Sequence, residues 1–385
     1  MPVDRRPAVS LLGQHLRQKL VIICCGAGGV GKTTTSAALA VAAAQDGRRV
    51  LVLTTDPSKR LAEALGVTAN TPDPVRVRPE REAEAGIRPP GALSAWMLDP
   101  KLVSDATVRR LVKDPQRARE LMDNPIYQQV TQMIAGMQEY TAMEALHGFV
   151  ARDEYDLVIL DTPPARNALN FLDAPRRLGE FLDGRIFQML LPDRDGRGFG
   201  GTTRRMAGRV LSGVFGEEFY ADLQVFFSAF SSIFAQLNGN AQRMRQRMQQ
   251  DDVVFLLVTS PVRTALDDAL YFEDRIRELE LPLGGLILNR SRHLAEHRPM
   301  PGPELLPPHA TDAHHRALKA LQKLAERERR HEAEHRELVD TLVQHAAKDI
   351  EVLTVPEFPG GIDDLEGLGA LARWLLDDAH ARVRD

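Results

Sequence analysis

The chain reads Val21-Ile22-Ile23-Cys24-Cys25-Gly26-Ala27-Gly28-Gly29-Val30-Gly31-Lys32-Thr33-Thr34 where an apolar strand pattern gives way to an alanine-rich helix pattern. The stretch contains the phosphate-binding pattern G-x-x-x-x-G-K-[ST], and the strand before it and the helix after it are the context that this motif requires. We therefore expect a nucleotide's phosphates to lie against the loop. The residues of this loop predicted to bind the nucleotide are Gly26, Ala27, Gly28, Gly29, Val30, Gly31, Lys32, Thr33 and Thr34.

Each residue type in this loop has a physical reason to be there. Glycines let the backbone turn with its N–H groups pointing inward, where side chains would block the approach of the phosphates. The helix that follows, predicted over Lys32 to Gln45, directs its positive N-terminal end at the same place. Lys32 is expected to reach the β- and γ-phosphate oxygens as a catalytic residue, and the Thr33 hydroxyl to hold Mg²⁺.

Two aspartates follow apolar strand patterns further along the chain. Residues 49–55 lead to Asp56, and residues 155–161 end at Asp161. The carboxyl ends of parallel strands share the sheet edge where the phosphate loop lies, so both carboxylates are expected at the nucleotide. We predict that Asp56 polarises the attacking water, and that both aspartates serve Mg²⁺, directly or through water. The alternative is that either aspartate only caps a helix before a proline.

Further strand patterns indicate the fold class. They are nearly continuous apolar runs rather than alternating ones, which is typical of strands that are covered on both faces. The sequence predicts an α/β protein, a P-loop NTPase with a doubly wound, mostly parallel sheet, and a last helix at about 365–379. The additional strands are predicted at 252–260, 284–290 and 350–356.

The domain organisation follows from the positions of these strands. Residues 1–18 are predicted to be an N-terminal extension, and residues 19–385 a single ATPase domain. Long amphipathic stretches between the strands predict helical subdomain insertions at about 100–150 and 175–250. A charged helix is predicted at about 312–345. The insertions carry apolar stripes whose members include Met133, Met137, Met143, Phe219, Phe226, Phe227, Phe230 and Phe234.

These stripes have two interpretations. Stripes at helical spacing usually pack against each other as a helical core, and that interpretation is favoured. The alternative is a groove for a hydrophobic client helix, because methionines and aromatic side chains make adaptable apolar surfaces.

Composition limits the partners and the compartment. The formal net charge of the 385-residue chain is −4, which gives no electrostatic reason to expect nucleic acid as a partner. Cys24 and Cys25 are the only cysteines, and neighbours on one strand cannot form a structural bridge or a zinc site, so a reducing cytoplasm is expected. No apolar run is long enough for a membrane span, which leaves peripheral membrane contact open.

The order of motifs resembles one ATPase family. The chain resembles the arsenite-pump and tail-anchored-protein targeting ATPases, which have a deviant Walker A loop. The resemblance rests on five segments in the same order: the phosphate loop, Thr54-Thr55-Asp56-Pro57, Asp161-Thr162-Pro163-Pro164, a strand ending at Asn289-Arg290, and Val355-Pro356-Glu357-Phe358-Pro359. The segments 138–140 and 161–169 resemble an actinobacterial-type subgroup of anion-transporting ATPases.

The resemblance implies a nucleotide-switched dimer and assigns several residues. Asp56 would orient water in switch I, and the segment from Asp161 to about Leu172, with Pro163 and Arg166, would be switch II. Asn289 would read adenine, with the turn from Pro356 to Phe358 closing over the base. A side-chain amide suits that role because it both donates and accepts. The alternative for Asn289 is a turn residue at a strand end.

The chain departs from the family pattern at three points. Ala27 stands where the family has a lysine that reaches the partner's phosphates, which argues against a symmetric homodimer that uses this lysine. A heterodimer with a lysine-bearing paralogue, or replacement of the lysine by Arg166, would supply the missing charge, although an ordinary structural role is the favoured interpretation of Arg166. Switch II also lacks the family's Thr-Gly-His-Thr run. Cysteines that bind arsenite or clamp a dimer through zinc have no counterpart, which argues against arsenite extrusion.

Three functions are consistent with this reading. The first is a Mg²⁺-dependent, chaperone-like ATPase whose ATP binding and hydrolysis switch a dimer that handles a hydrophobic client or a protein partner. The second is a nucleotide-binding, weakly hydrolytic regulatory subunit of a heterodimer. The third is the energising ATPase of an anion transporter.

Overall fold

The computed structural model describes residues 10–54, 60–67, 71, 73–125, 127–128, 138–162, 226, 243, 246–292, 299–346, 350–358 and 361–377. Its strands are β1 (Val21–Cys25), β2 (Arg49–Thr54), β3 (Val75–Arg76), β4 (Ala92–Met97), β5 (Leu157–Asp161), β6 (Val253–Thr259), β7 (Leu283–Ser291) and β8 (Val352–Pro356). Its helices are α1 (Leu11–Gln18), α2 (Lys32–Gln45), α3 (Arg60–Leu65), α4 (Pro79–Glu84), α5 (Pro100–Leu111), α6 (Pro115–Asp123), α7 (Gln138–Arg152), α8 (Arg263–Glu278), α9 (Asp312–His345) and α10 (Leu365–Leu376), with a 3₁₀ turn at Pro303–Leu305.

The strands form one sheet in the order β3-β4-β2-β5-β1-β6-β7-β8. All neighbouring pairs are parallel except β3 with β4. Every residue of β1, β5 and β6 is buried. Because successive strand residues point to opposite faces, complete burial means that both faces of the central sheet are covered. The predicted α/β class with a mostly parallel sheet is therefore confirmed.

Helix α2 follows the phosphate loop and anchors it to the core of the protein. It begins directly after Gly31 and consists largely of alanine, and its residues from Thr35 to Ala44 are all buried. Because its side chains are small, α2 lies close to the sheet. Helix α10 packs against α2 as well. The predicted bounds of this helix, Lys32 to Gln45, are those of the structure.

The segment predicted as an N-terminal extension includes a helix that joins the core. Ser10 caps α1 by accepting a hydrogen bond from the Gly13 N–H at 3.0 Å. Leu12 and Leu16 of this helix are each 2% exposed and belong to the same apolar core as the sheet. Residues 11–18 thus pack as part of the same α/β fold.

Strands β3 and β4 are elements that the sequence analysis did not predict. The β4 sequence Ala-Leu-Ser-Ala-Trp-Met has no β-branched residue, so its intrinsic preference for a strand is weak. Pairing with β2, in the register Val50 to Leu93, makes it a strand. A buried carboxylate supports this edge, because Glu82 accepts from the Leu93 N–H at 2.8 Å and pairs with Arg76.

In the sequence, several helices lie between the strands and others follow them. Helices α5, α6 and α7 fall within the insertion predicted at about 100–150. Of the apolar stripe residues predicted at 219–234, the structure describes only Phe226, whose side chain is 3% exposed; Met133 and Met137 and the side chain of Met143 lie outside the described residues. At Phe226 the favoured core interpretation therefore agrees with the observed burial.

Helix α9 spans the predicted residues 312–345 and is mostly solvent-exposed, with Leu318, Val339 and Leu342 buried. None of the helices in the described ranges has both the length and the apolar character that crossing a bilayer would require.

Candidate functional site

Four strand ends meet at one point of the sheet edge. β1 lies between β5 and β6, and β5 lies between β1 and β2. In the parallel register Cys24 is the partner of Asp161, and Thr54 is the partner of Asp161 on the other side. The phosphate loop that follows β1 therefore lies beside the carboxylate at the end of β5, as the sequence analysis predicted for Asp161.

The loop has a backbone shape that only glycine adopts easily. Gly26, Gly29 and Gly31 have φ angles of +150°, +75° and +93°. A β-carbon on Gly26 would lie 1.9 Å from the carbonyl oxygen of Val258, and one on Gly31 would lie 2.1 Å from Nδ2 of Asn289. At Gly29 no atom other than those of its chain neighbours lies within 4 Å of that position, so this side of the loop is open, and Gly29 lines a cavity.

Lys32 is folded back over the loop. Its Nζ donates to the carbonyl oxygen of Ala27 at 2.8 Å, and the residue is 7% exposed. The ammonium group is thus held at the mouth of the loop, within the cavity that the loop lines. Ala27 itself is 7% exposed and packs in the apolar core, so it presents its carbonyl oxygen rather than its side chain to this site.

Asp161 is held by two hydroxyl groups. Its Oδ2 accepts from Thr33 Oγ1 at 2.6 Å and from Thr54 Oγ1 at 2.8 Å. Asp161 is 1% exposed and Thr54 is fully buried. The next residue, Thr162, turns its hydroxyl to the Cys24 carbonyl oxygen at 2.9 Å, which ties the end of β5 to β1.

This donor set fits Mg²⁺ bound together with a nucleotide. Magnesium prefers oxygen ligands, keeps several waters and takes the remaining ligands from phosphates, so one hydroxyl and one nearby carboxylate are enough protein ligands. Among the described residues there is no group of three or more His, Cys, Asp or Glu side chains that could hold a metal alone. The arrangement therefore fits a metal that the triphosphate helps to bind.

Asn289 lies over the phosphate loop at the end of β7. Its Nδ2 donates to the Val30 carbonyl oxygen at 2.8 Å, and its Oδ1 accepts from the Arg290 N–H at 2.9 Å. Arg290 has a positive φ of +56°, which turns the chain away from the strand direction. An amide has two N–H donors and two acceptor lone pairs, so Asn289 keeps one of each for a ligand. Contact with the loop is a feature that the sequence analysis missed.

A cavity of about 790 Å³ connects these groups. One end, the phosphate end, is lined by Gly28, Gly29, Gly31, Lys32, Thr33 and Thr34. The other is named the base end because the sequence analysis predicts that adenine lies there, and it is lined by Asn289, Arg290, Pro356, Glu357, Phe358 and Ile362. The structure thus brings Asn289, Pro356 and Phe358 into the cavity of the phosphate loop, as predicted, although they lie more than 250 residues away in sequence.

Further lining residues were not predicted. Leu61 and Ala64 of α3 and Leu368 and Leu371 of α10 add an apolar wall, and Glu63 and Asp363 add carboxylates. The helical spacing of Leu368 and Leu371 was available as a signal, but it predicts a buried face and not a cavity wall.

The two cysteines of β1 are inert at this site. Both are buried and free, and burial raises the pKa of Cys24 and of Cys25 to about 12. A thiol with such a pKa stays protonated at neutral pH, so neither group is a nucleophile or a thiolate ligand there.

Three predicted site residues lie outside the described residues. They are Asp56, Pro163 and Arg166, and their predicted roles in orienting water and in switch II stay predictions. Asp161 and Thr162 are the part of the predicted switch II that the structure describes.

Comparison with known proteins agrees with this geometry. The family model described as anion-transporting ATPase matches residues 19–291, from the residues before β1 through Asn289 to the end of β7. The base-end turn after β8 and helix α10 lie beyond the matched region. No curated protein gives a significant match. The match covers well over half of the chain, and the chain therefore belongs to the anion-transporting ATPase family, a family of ATP-hydrolysing enzymes.

Proposed function

We propose that this ATPase is Mg²⁺-dependent and that its nucleotide state switches a dimer that handles a hydrophobic client or a protein partner. The observation that carries the nucleotide part of the proposal is the loop of positive-φ glycines that opens onto the cavity beside Lys32. Backbone N–H groups, a helix N-terminus and an ammonium group in one place are complementary to a triphosphate.

In this proposal the phosphate end supplies the binding energy. Lys32 exchanges the Ala27 carbonyl oxygen for the β- and γ-phosphate oxygens, a short movement because its Nζ already lies at the loop. The first turn of α2 adds its N–H groups and its positive dipole end. The bond from the ammonium group to the Ala27 carbonyl has one charged partner, whereas a bond to a phosphate oxygen has two partners of opposite charge. The added Coulombic attraction favours the phosphates over the displaced carbonyl.

Thr33 and Asp161 are the residues that would hold Mg²⁺. The Thr33 hydroxyl donates its proton to Asp161, which leaves its oxygen lone pairs for the metal. Bound Mg²⁺ would neutralise charge that develops on the phosphate oxygens. Asp56 is proposed to orient the attacking water, and Pro163 and Arg166 to belong to the segment that responds to the γ-phosphate.

The base end is proposed to select adenine. The remaining donor and acceptor of Asn289 match the adenine edge, which offers an amino donor beside a ring acceptor. Pro356 and Phe358 lie in the same cavity and supply an apolar surface for the face of the base.

A lysine substitution tests the nucleotide part. We expect Lys32→Ala to reduce ATP affinity or turnover by about 30-fold or more, because a buried charged hydrogen-bond partner typically contributes 2 kcal/mol or more. Lys319→Ala, on the exposed face of α9, is the matched control and should leave both unchanged. Wild-type binding and turnover in folded Lys32→Ala would contradict the assignment.

The dimer and its client need a different experiment. We propose a homodimer, or a heterodimer with a paralogous ATPase, whose packing changes between ATP and ADP. Native mass measurement of the complex isolated from its own cells should then give a nucleotide-dependent assembly of two ATPase chains. A single chain with both nucleotides would contradict the switch. The burial of Phe226 favours a packed helical layer, so a client groove would have to involve other residues of that stretch.

The second candidate function, a weakly hydrolytic subunit of a heterodimer, is favoured by one observation. The loop presents a buried alanine, Ala27, at the position where the family resemblance implies a lysine reaching the partner's phosphates. Turnover of the wild-type chain should be compared with that of Asp56→Asn. Equal turnover, with ATP still bound, would support this candidate over the hydrolytic switch. The third candidate function is the energising ATPase of an anion transporter, in line with the name of the family. If the chain has this function, a membrane partner should stimulate its ATP turnover.

A further inference from the structure

Thr54 has a contact that the proposed ATP site does not yet use. It is the last residue of β2 and is fully buried. Its hydroxyl donates to Oδ2 of Asp161 at 2.8 Å, the same oxygen that accepts from Thr33 at 2.6 Å. One carboxylate oxygen thus receives two O–H donors, one from β2 and one from the first turn of α2.

The backbone fixes the Thr54 donor in place. Thr54 and Asp161 are partners in the parallel register of β2 and β5, so the sheet sets the distance between their side chains. A β-branched side chain has restricted χ1 rotation, and burial restricts it further. Asp161 is on β5, where it is 1% exposed, so its carboxylate is held between two rigid strands.

The orientation of Asp161 determines what Thr33 can do. A hydroxyl has one proton and two lone pairs, so a Thr33 proton committed to Asp161 leaves both lone pairs to face the cavity. If the carboxylate turned away, the Thr33 hydroxyl would be able to rotate and point its proton at the metal position. Thr54 donates to the same carboxylate oxygen that accepts the Thr33 proton, and thereby favours the orientation of Asp161 seen here.

We propose that Thr54 is a positioning residue for the Mg²⁺ site: its hydroxyl holds the Asp161 carboxylate so that the Thr33 oxygen faces the bound metal and nucleotide. The inference rests on the proposed function of Thr33 and Asp161. Thr54 is not among the residues that line the cavity, and the contact by which it acts on the site is the one with Asp161. Its effect is therefore on the gain in nucleotide affinity that Mg²⁺ provides, and not on nucleotide affinity without metal.

The test is a comparison of ADP affinities by calorimetry, in Mg²⁺ and in EDTA, with the full-length chain. For Thr54→Val we expect the ratio of the two affinities to fall about tenfold, as for loss of a hydrogen bond to a charged group, with the affinity in EDTA unchanged. Thr54→Ser keeps the hydroxyl and should keep the wild-type ratio.

Thr259→Val is the matched control. Thr259 is also a fully buried threonine at a strand end, but its hydroxyl donates to the Ala265 carbonyl oxygen at 2.9 Å. The variant should lose stability to a similar extent while the Mg²⁺ ratio stays that of the wild type. If Thr54→Val does not fold, Thr54→Ala takes its place with the same expected ratio.

The outcomes separate this inference from the function on which it rests. A wild-type ratio in a folded Thr54→Val or Thr54→Ala, a reduced ratio in Thr54→Ser, or an equal reduction in Thr259→Val would overturn the positioning role. If the folded wild-type chain bound ADP equally in Mg²⁺ and EDTA, the proposed metal site would fail. If it bound no nucleotide at all, the proposed function would fail.

Discussion

The two ends of the cavity are built in different ways. At the phosphate end the shape is set by main chain: three glycines at positive φ, the first turn of α2 and the buried end of β5. At the base end it is set by side chains on the ends of β7 and β8, among them the exposed Arg290 and Glu357. The phosphate end lies within residues 19–291, which match the family, whereas most of the base end lies beyond them.

This difference between the two ends indicates which of them provides affinity for the nucleotide and which provides selectivity among nucleotides. Main-chain donors cannot be altered by most substitutions, so phosphate recognition depends on whether the glycine backbone is kept. Side chains at the base end change chemistry without changing the fold. We therefore expect substitutions at the phosphate end to cause the largest losses of nucleotide affinity, and those at the base end to alter the preference among nucleotides.

The largest effect on binding is expected for Gly29→Ala. A β-carbon there meets no protein atom within 4 Å, so the chain should fold with a cost of about 1–2 kcal/mol for the positive φ. The new methyl group would occupy the space of the phosphates, and we expect ATP affinity to fall about 100-fold or more, as two charged hydrogen bonds are lost. Calorimetry and chemical denaturation measure the two effects.

Gly26→Ala, by contrast, is expected to reduce the stability of the fold. Its β-carbon would lie 1.9 Å from the Val258 carbonyl oxygen, which belongs to rigid backbone. We expect the free energy of unfolding to fall by roughly 3 kcal/mol or more. Equal stability of the two variants would contradict the interpretation that Gly29 faces a ligand space and Gly26 the sheet.

Asn289 contacts the phosphate loop and also lines the base end of the cavity. Tripolyphosphate, a ligand that has phosphates but no base, separates these two roles. Asn289→Ala removes both the contact with the Val30 carbonyl and the group proposed to read adenine. We expect ATP affinity to fall about 10-fold, and tripolyphosphate affinity to fall by a smaller factor that reflects the loop contact alone. An unchanged affinity for tripolyphosphate would mean that the loop does not need Asn289, and an equal loss for both ligands would mean that Asn289 does not read the base.

A smaller effect is expected at Phe358. This partly buried side chain lines the base end and packs against the core. Phe358→Ala should weaken ATP about 5-fold, which corresponds to about 1 kcal/mol of stacking, and leave tripolyphosphate binding unchanged. Reduced tripolyphosphate binding would show that the residue supports the loop structure and not the base.

The smallest effect is expected at Arg292, which links the base end to helix α9. Its guanidinium pairs with Glu357 at 3.0 Å and with Glu328 of α9. Because all three side chains are about a third or more exposed, such pairs contribute at most about 1 kcal/mol, and Arg292→Gln should change ATP affinity less than about 5-fold. The change should shrink at high salt. Arg275→Gln is the control, because Arg275 forms a comparably exposed pair with Glu278 and neither residue lines the cavity.

The sequence was most informative where local patterns determine structure. The strand, loop and helix from Val21 to Gln45 could be predicted because the motif, the apolar run and the alanine content all agree. Asp161 could be placed beside the loop because parallel strands end at one edge. The charged helix at 312–345 followed from its long uninterrupted pattern and lack of proline.

What could not be predicted depends on contacts between distant segments. β4 is a strand because it pairs with β2, and its own residues give little strand preference. The sequence places Thr54 at a strand end but does not say that its hydroxyl meets Asp161, since that depends on register and rotamer. The packing of Asn289 on Gly31 likewise arises from the arrangement of β7 relative to β1 across the sheet.

The most direct test of the account is calorimetric titration of ATP and ADP, with Mg²⁺, into the folded wild-type chain. We predict that each chain binds one nucleotide and that Gly29→Ala, folded to the same extent, binds none at the same concentrations. A folded wild-type chain that takes up neither nucleotide would contradict the claim that the loop after β1 binds a nucleotide's phosphates.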